Sequence, residues 1–177
     1  MTRLTADDWA AAALAALAEG GLSAVAVEPV AQRLGVSKGS FYWHFANRRA
    51  LVEAALRRWE ADTERVISGL ERIPEPAERM RALLERAFGD PRDAAVSFRL
   101  ISEADDPLVG EVARRVSSRR LAYMEEILRQ AGRPAEEARG LAVSAYGKYL
   151  GLAALVRVGA LDEPPASVDS ATAELGL

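Results

Sequence analysis

Residues 35–49 read GVSKGSFYWHFANRR and follow directly on VEPVAQRL, residues 27–34. In the upstream stretch Val27, Val30, Ala31 and Leu34 keep the i, i+3, i+4, i+7 spacing of a helix with one apolar face. Pro29 falls in its first turn, where a missing N–H does little harm. Gly35 suits the left-handed position after a helix end, and Ser37 is a good N-cap for the next one. The spacing thus predicts a helix from about residue 28, a glycine turn, and a short third helix over Lys38–Phe45. At 100° per residue Phe41 and Phe45 lie within about 40° of each other and form a buried anchor. Gly39 and Trp43 then point outward with Ser40 beside them, and Lys38, Tyr42 and His44 flank that face. A tryptophan aimed at water needs a partner, and Gly39 lets a surface approach the backbone closely.

In a major groove these side chains have work to do. Lys38 can donate to guanine O6 or N7, Ser40 can bond either way, and the indole of Trp43 can lie against a thymine methyl or the sugar-phosphate chain. Tyr42 and His44 are placed to donate to phosphate. Asn47-Arg48-Arg49 opens a fourth helix, gathering free N–H groups and two guanidiniums where a phosphate would sit. Singly, each has a plainer reading: a surface histidine, a Trp43 contact with a partner helix, a solvated helix start. Together they point to double-stranded DNA. The net charge is −3, yet residues 29–58 hold six basic side chains against Glu53 alone. A local positive patch on an acidic body is what steering toward phosphate requires, although an ordinary solvated helix face has the same composition.

Outward from this stretch, nearly everything is helix-patterned. A first helix runs from about Thr5 to Glu19, with Thr5 and Asp8 as a cap pair and Gly20-Gly21 as the stop. The fourth, capped by Asn47, runs to about Leu70, and Ile73-Pro74-Glu75-Pro76 marks a boundary. Further helices are predicted at 75–88, 91–103, 107–131, 134–158 and, after Pro164-Pro165, 166–175. The expectation is an all-α chain: a three-helix helix-turn-helix domain, residues 1–47, joined by a long fourth helix to a helical domain, residues 48–177. The chain has no cysteine. The N-terminal apolar run is broken by Asp7, Asp8 and Glu19, so neither a membrane span nor an export signal is expected, and a cytoplasmic location is.

Residues 1–58 resemble the DNA-binding region of the TetR family of bacterial transcriptional regulators, from a first helix ending in EGG through VAQRLGVSKGSFYWHF to NRRALVEAAL. The resemblance covers about a third of the chain. It implies a symmetric homodimer that binds a palindromic operator and is released by a small-molecule effector, most simply a repressor. Effector binding in the body would shift the fourth helix and change the separation of the two recognition helices. Ser37, Lys38, Gly39, Ser40, Tyr42, Trp43, His44 and Arg48 inherit the DNA-facing roles. One departure is that Val27 and Glu28 stand where the family often offers threonine or a basic residue, so a relative's operator does not carry over. The alternative is a ligand-sensing or protein-binding helical dimer without operator binding.

Gly35-Val36-Ser37-Lys38-Gly39 also matches G-x-S-x-G, a hydrolase motif that needs a strand-turn-helix context and a downstream histidine. Helix-patterned residues precede Gly35, and the only histidine, His44, lies seven residues on. No enzyme, catalytic residue, cofactor or metal site is expected. In the body, Leu84, Phe88, Phe98, Tyr123 and Tyr146 are the candidate pocket residues the family layout suggests, with Arg99, Glu103 and Arg120 as possible polar contacts, though such residues are often plain core. On the eighth helix Gly140, Ser144, Gly147, Gly151, Ala154 and Val158 recur at spacings of four and three. Glycines inside a helix cost stability, so a stripe of them suggests close helix packing. The family layout makes Ser144, Gly147, Gly151 and Ala154 a two-fold dimer interface; packing against a helix of the same chain is the other reading.

Overall fold

The computed structural model of the chain describes residues 4–89, 91–162 and 168–177, and these are helical with no strand. The order is α1 (Ala6–Gly20), a 3₁₀ turn (Leu22–Ala24), α2 (Val27–Arg33), α3 (Lys38–Phe41), α4 (Arg48–Leu70), α5 (Pro76–Gly89), α6 (Pro91–Ser102), α7 (Pro107–Gln130), α8 (Ala135–Arg157) and α9 (Val168–Glu174). Residues 166 and 167, the start of the expected ninth helix, lie outside the described residues, as do Pro164 and Pro165 before them.

Local chemistry accounts for several helix ends. At α1, Thr5 Oγ1 accepts from the Asp8 N–H at 3.2 Å while Asp8 Oδ2 accepts from the Thr5 N–H at 2.7 Å, a complete capping box. Gly35 has φ +69°, and with it the Val36 N–H reaches back to the Ala31 carbonyl and the Gly35 N–H to that of Gln32. This paired closure needs a left-handed residue, and glycine supplies it without steric cost. Asn47 Oδ1 accepts from the Ala50 N–H at 3.0 Å and starts α4. Asp106 Oδ1 accepts from the N–H groups of Leu108 and Val109 and starts α7 behind Pro107.

Two expectations are corrected, and one element is new. Helix α3 ends at Phe41, not Phe45: the Trp43 and His44 N–H groups bond three residues back, to Ser40 and Phe41, so residues 42–44 continue as tight turns. Ser37 has the extended backbone of an N-cap but makes no side-chain cap bond. The 3₁₀ turn between α1 and α2 was not foreseen at all.

The chain divides into two compact units: residues up to Asp62 with Arg99–Arg114, and Thr63–Phe98 with Arg115–Leu177. In the first, the reading unit, Trp9, Leu17, Phe41, Leu51, Leu56 and Trp59 are fully buried. In the second, the body unit, Met80, Ile127, Leu128 and Ala138 are. Each large apolar side chain so buried contributes about 1.5–3 kcal/mol, which is what holds short helices such as α2 and α3 in place. In the body, Arg81 pairs with Asp169 and Lys148 with Glu174, both fastening α9, and Arg133 donates to the Gly176 carbonyl just beyond it.

Candidate nucleic-acid interface and body cavity

The surface around α3 is built on one ring. Phe41 is fully buried, meets Trp9 edge-on at 5.5 Å between centroids and stacks on Phe45 at 5.6 Å. Above this cluster Ser37, Lys38 and Gly39 are exposed, Ser40 and His44 are half-buried, and Tyr42 and Trp43 are 61% and 82% exposed. The turn at 42–44 therefore delivers the outward aromatic pair that a longer helix was expected to deliver. The Tyr42 ring leans edge-on against Phe41 at 5.1 Å, so the buried ring also orients its exposed neighbour.

Charge around this surface is more restrained than the count suggests. Arg33 pairs with Glu19 at 2.6 Å, Arg49 with Glu53 at 3.1 Å, and Arg58 with Asp7 and Asp62. Lys38 and Arg57 have no ion-pair partner among the described residues. Arg48, expected to face DNA, is exposed but tied to the α1–α2 connector: its Nε donates to the Val25 carbonyl at 2.6 Å and its Nη2 to the Leu22 carbonyl. Those partners lie more than twenty residues away in sequence, so no local spacing could have signalled the contact. Glu103, considered as a ligand contact, lies in this same unit. Its Oε2 accepts from the Leu22 N–H at 2.8 Å, and its Oε1 faces Arg99 at 3.8 Å.

The body contains a cavity of about 200 Å³ between residues of α5, α6 and α8. Phe88 and Phe98 line it as expected, joined by Tyr149, Leu152, Val156 and Arg157. Leu84, Tyr123 and Tyr146 are buried but do not line it. The Tyr146 hydroxyl shares a hydrogen bond with Ser117 at 3.2 Å, and its ring stacks on Tyr149 at 6.1 Å. The Tyr123 hydroxyl is buried without a hydrogen-bond partner, and that burial raises its pKa. Tyr149 was passed over because it shares a helix face with Tyr146, and spacing alone does not say which of two neighbours meets a void.

Beside the cavity lies a polar cluster. The Tyr149 hydroxyl donates to Asp93 Oδ2 at 2.6 Å, and Arg120 donates to Asp93 Oδ1, Ser97 and Thr63 at 3.1, 2.8 and 3.0 Å. Burial and the Asp93 carboxylate both push the Tyr149 hydroxyl far above the ordinary tyrosine range. For Arg120, burial opposes the charged form, but Asp93 and the two tyrosines outweigh it and its pKa rises. On α8, Gly140, Ser144, Gly147 and Gly151 are exposed and Ala154 is half-buried. No described atom lies within 4 Å of where a Cβ would stand on Gly140, Gly147 or Gly151. Val143 and Leu155 are exposed on the same helix, as is Val158 at its C-terminal cap.

Residues 10–55 match the family model described as bacterial regulatory proteins, tetR family. The N-terminal region belongs to the TetR family. The class A tetracycline repressor of transposon 1721, from Escherichia coli, is 43% identical over 54 residues, covering 30% of this chain and 25% of that protein. The HTH-type transcriptional activator FasR of Mycolicibacterium smegmatis is 30% identical over 131 residues, covering 70% and 58%. The chain thus spans less than two thirds of the length of either relative. A solved transcriptional regulator from Rhodococcus sp. Rha1 superimposes with a TM-score of 0.77 at 25% identity, covering 98% of this chain and 95% of that one. Gly35-Val36-Ser37-Lys38-Gly39 sits in a helix-turn-helix, not the strand-turn-helix of a nucleophile elbow. No helix among the described residues is long and apolar enough to cross a membrane.

Proposed function

We propose that the chain is a homodimeric transcriptional repressor that holds a palindromic operator and leaves it when a small molecule occupies the body. The observation that carries this reading is Trp43, 82% exposed beside Tyr42 and an unpaired Lys38, on a turn whose buried Phe41 fixes it. An indole left in water next to a free cation gains little inside the protomer; against thymine methyls and phosphate it gains both burial and charge pairing. A protein-binding dimer without operator binding would not need Lys38 there. Selection from random duplex DNA, followed by gel shifts across a salt series, tests the proposal. The expected product is an inverted repeat with half-sites ~10–10.5 base pairs apart, or a multiple of that. Recovery of no enriched repeat overturns it.

The open glycine face of α8 supports a second copy of the chain as the partner. At 1.5 Å per residue a seam from Gly140 to Val158 is about 27 Å long, and small residues let a symmetry-related helix approach closely along it. The cavity supports a small, mostly apolar effector: a dry cavity of about 150 Å³ holds a benzene ring, so this one takes a body little larger than one ring. The relatives include proteins named as repressors and one named as an activator. A reporter gene behind the selected operator decides the sign, and repression in the absence of effector is expected.

A further inference from the structure

The connector between α1 and α2 is gripped at both kinds of peptide group. Gly21 offers the 3₁₀ turn no side-chain cap, and Glu103, 81 residues away in sequence, supplies one by accepting the Leu22 N–H. Arg48 takes the carbonyls of Leu22 and Val25 with two edges of its guanidinium. Gly21 has φ +73°, and a Cβ there would overlap the Glu103 carboxylate. The positive φ favours glycine there. The corner that presents Glu103 is itself tightly built. The Glu103 N–H bonds to the Arg99 carbonyl, the Asp106 N–H to that of Glu103, and Gly110 lies so close to the Ala104 carbonyl that a Cβ would overlap it.

We infer that Glu103 and Arg48 are positioning residues for DNA binding. They set the α1–α2 connector, and through it α2 and α3, against α4, so that Lys38 and Trp43 arrive together at the groove. The inference rests on the operator-binding reading and adds two residues that touch no DNA. Both grips are charge-assisted bonds to backbone, the stronger kind, and neither involves a reading residue. For Arg48 the role is distinct from phosphate contact. A lysine keeps the charge that a phosphate needs but loses the fork that two carbonyls need.

The test uses the full chain, its selected operator and an unrelated duplex. Glu103→Ala is expected to speed exchange of the Leu22 amide at least ~10-fold and to weaken operator binding about 10-fold, the scale of one charge-assisted bond. Affinity for the unrelated duplex is expected to change less than ~2-fold, because that binding follows phosphate contacts. Glu103→Gln keeps an acceptor and is expected to restore most of the loss. It also serves as the reporting variant if Glu103→Ala fails to fold. Arg48→Lys is expected to weaken operator binding while leaving the salt slope unchanged. Faster Leu22 exchange with unchanged operator affinity overturns the positioning role, as does equal weakening on both duplexes. Normal binding by Arg48→Lys with a flattened salt slope for Arg48→Ala returns Arg48 to phosphate. A wild-type chain that selects no operator sinks the regulator reading and the positioning role with it, whereas unchanged Leu22 exchange in Glu103→Ala sinks the grip alone.

Discussion

Around the α1–α2 connector of the reading unit the long-range polar bonds end on backbone: Glu103 on the Leu22 N–H, Arg48 on two carbonyls. Beside the body cavity they end on side chains, with Arg120, Asp93, Tyr149, Ser97 and Thr63 bonded among themselves. Bonds to backbone fix the path of a chain and leave exposed side chains free to meet a partner. A side-chain cluster next to a void does the reverse, holding an interior in one arrangement that a new occupant can disturb. The contrast suits the proposed function, in which one unit presents a fixed surface and the other responds to an effector entering it.

The contrast can be broken first at Trp43. Trp43→Ala is expected to erase the margin of specific over non-specific binding, at least ~10³-fold or about 4 kcal/mol, with the melting temperature unchanged. A drop in stability instead would mean that the indole packs and does not read. Next comes Arg120→Leu, which leaves Asp93 without its cation. Such a break costs about 3–5 kcal/mol when both partners are fully buried; with the Asp93 side chain 40% exposed, about 2 kcal/mol is expected in a denaturant titration. The operator selected by the folded protein should stay the same, and a changed selection would collapse the distinction between the units. Smallest is Thr5→Ala, about 1 kcal/mol at neutral pH from loss of the α1 cap. The Thr5 backbone and side-chain bonds hold Asp8 below its ordinary 3.8. The Asp8 contribution is thus complete above that pH and fades as the pH falls below it through the folded-state value. The difference between wild type and Thr5→Ala should narrow accordingly, and a gap that widens in acid refutes the assignment.

Much of the reading unit was legible because its determinants are local. Gly35, Asn47, Thr5 and Asp8 each act within a few residues of themselves, and Phe41 and Phe45 fall on one face by spacing alone. The end of α3 was not legible. A helical wheel cannot register that residues 42–44 tighten into turns before Asn47 opens α4, although Trp43 faces outward in either geometry. Arg48 illustrates the limit more sharply. Its place at a helix start suggested phosphate, and only the fold brings the Leu22 and Val25 carbonyls to it. In the body, Phe88 and Phe98 were named from the family layout. Tyr149 and Arg157 were not, because a cavity wall is decided by what is missing across from it, and no pattern along one helix encodes that.

The distribution of indoles has an optical consequence. All three tryptophans, Trp9, Trp43 and Trp59, lie in the reading unit, and the body's aromatic rings are phenylalanine and tyrosine only. Trp9 and Trp59 are sealed from water while Trp43 is almost fully open to it. Selectively excited emission from the chain therefore reports on one unit alone. It combines two blue-shifted, quencher-protected emitters with one red-shifted emitter that iodide reaches. Contact with a duplex would silence the red component first, and unfolding would move the blue pair, so the chain carries separate built-in dyes for docking and for melting.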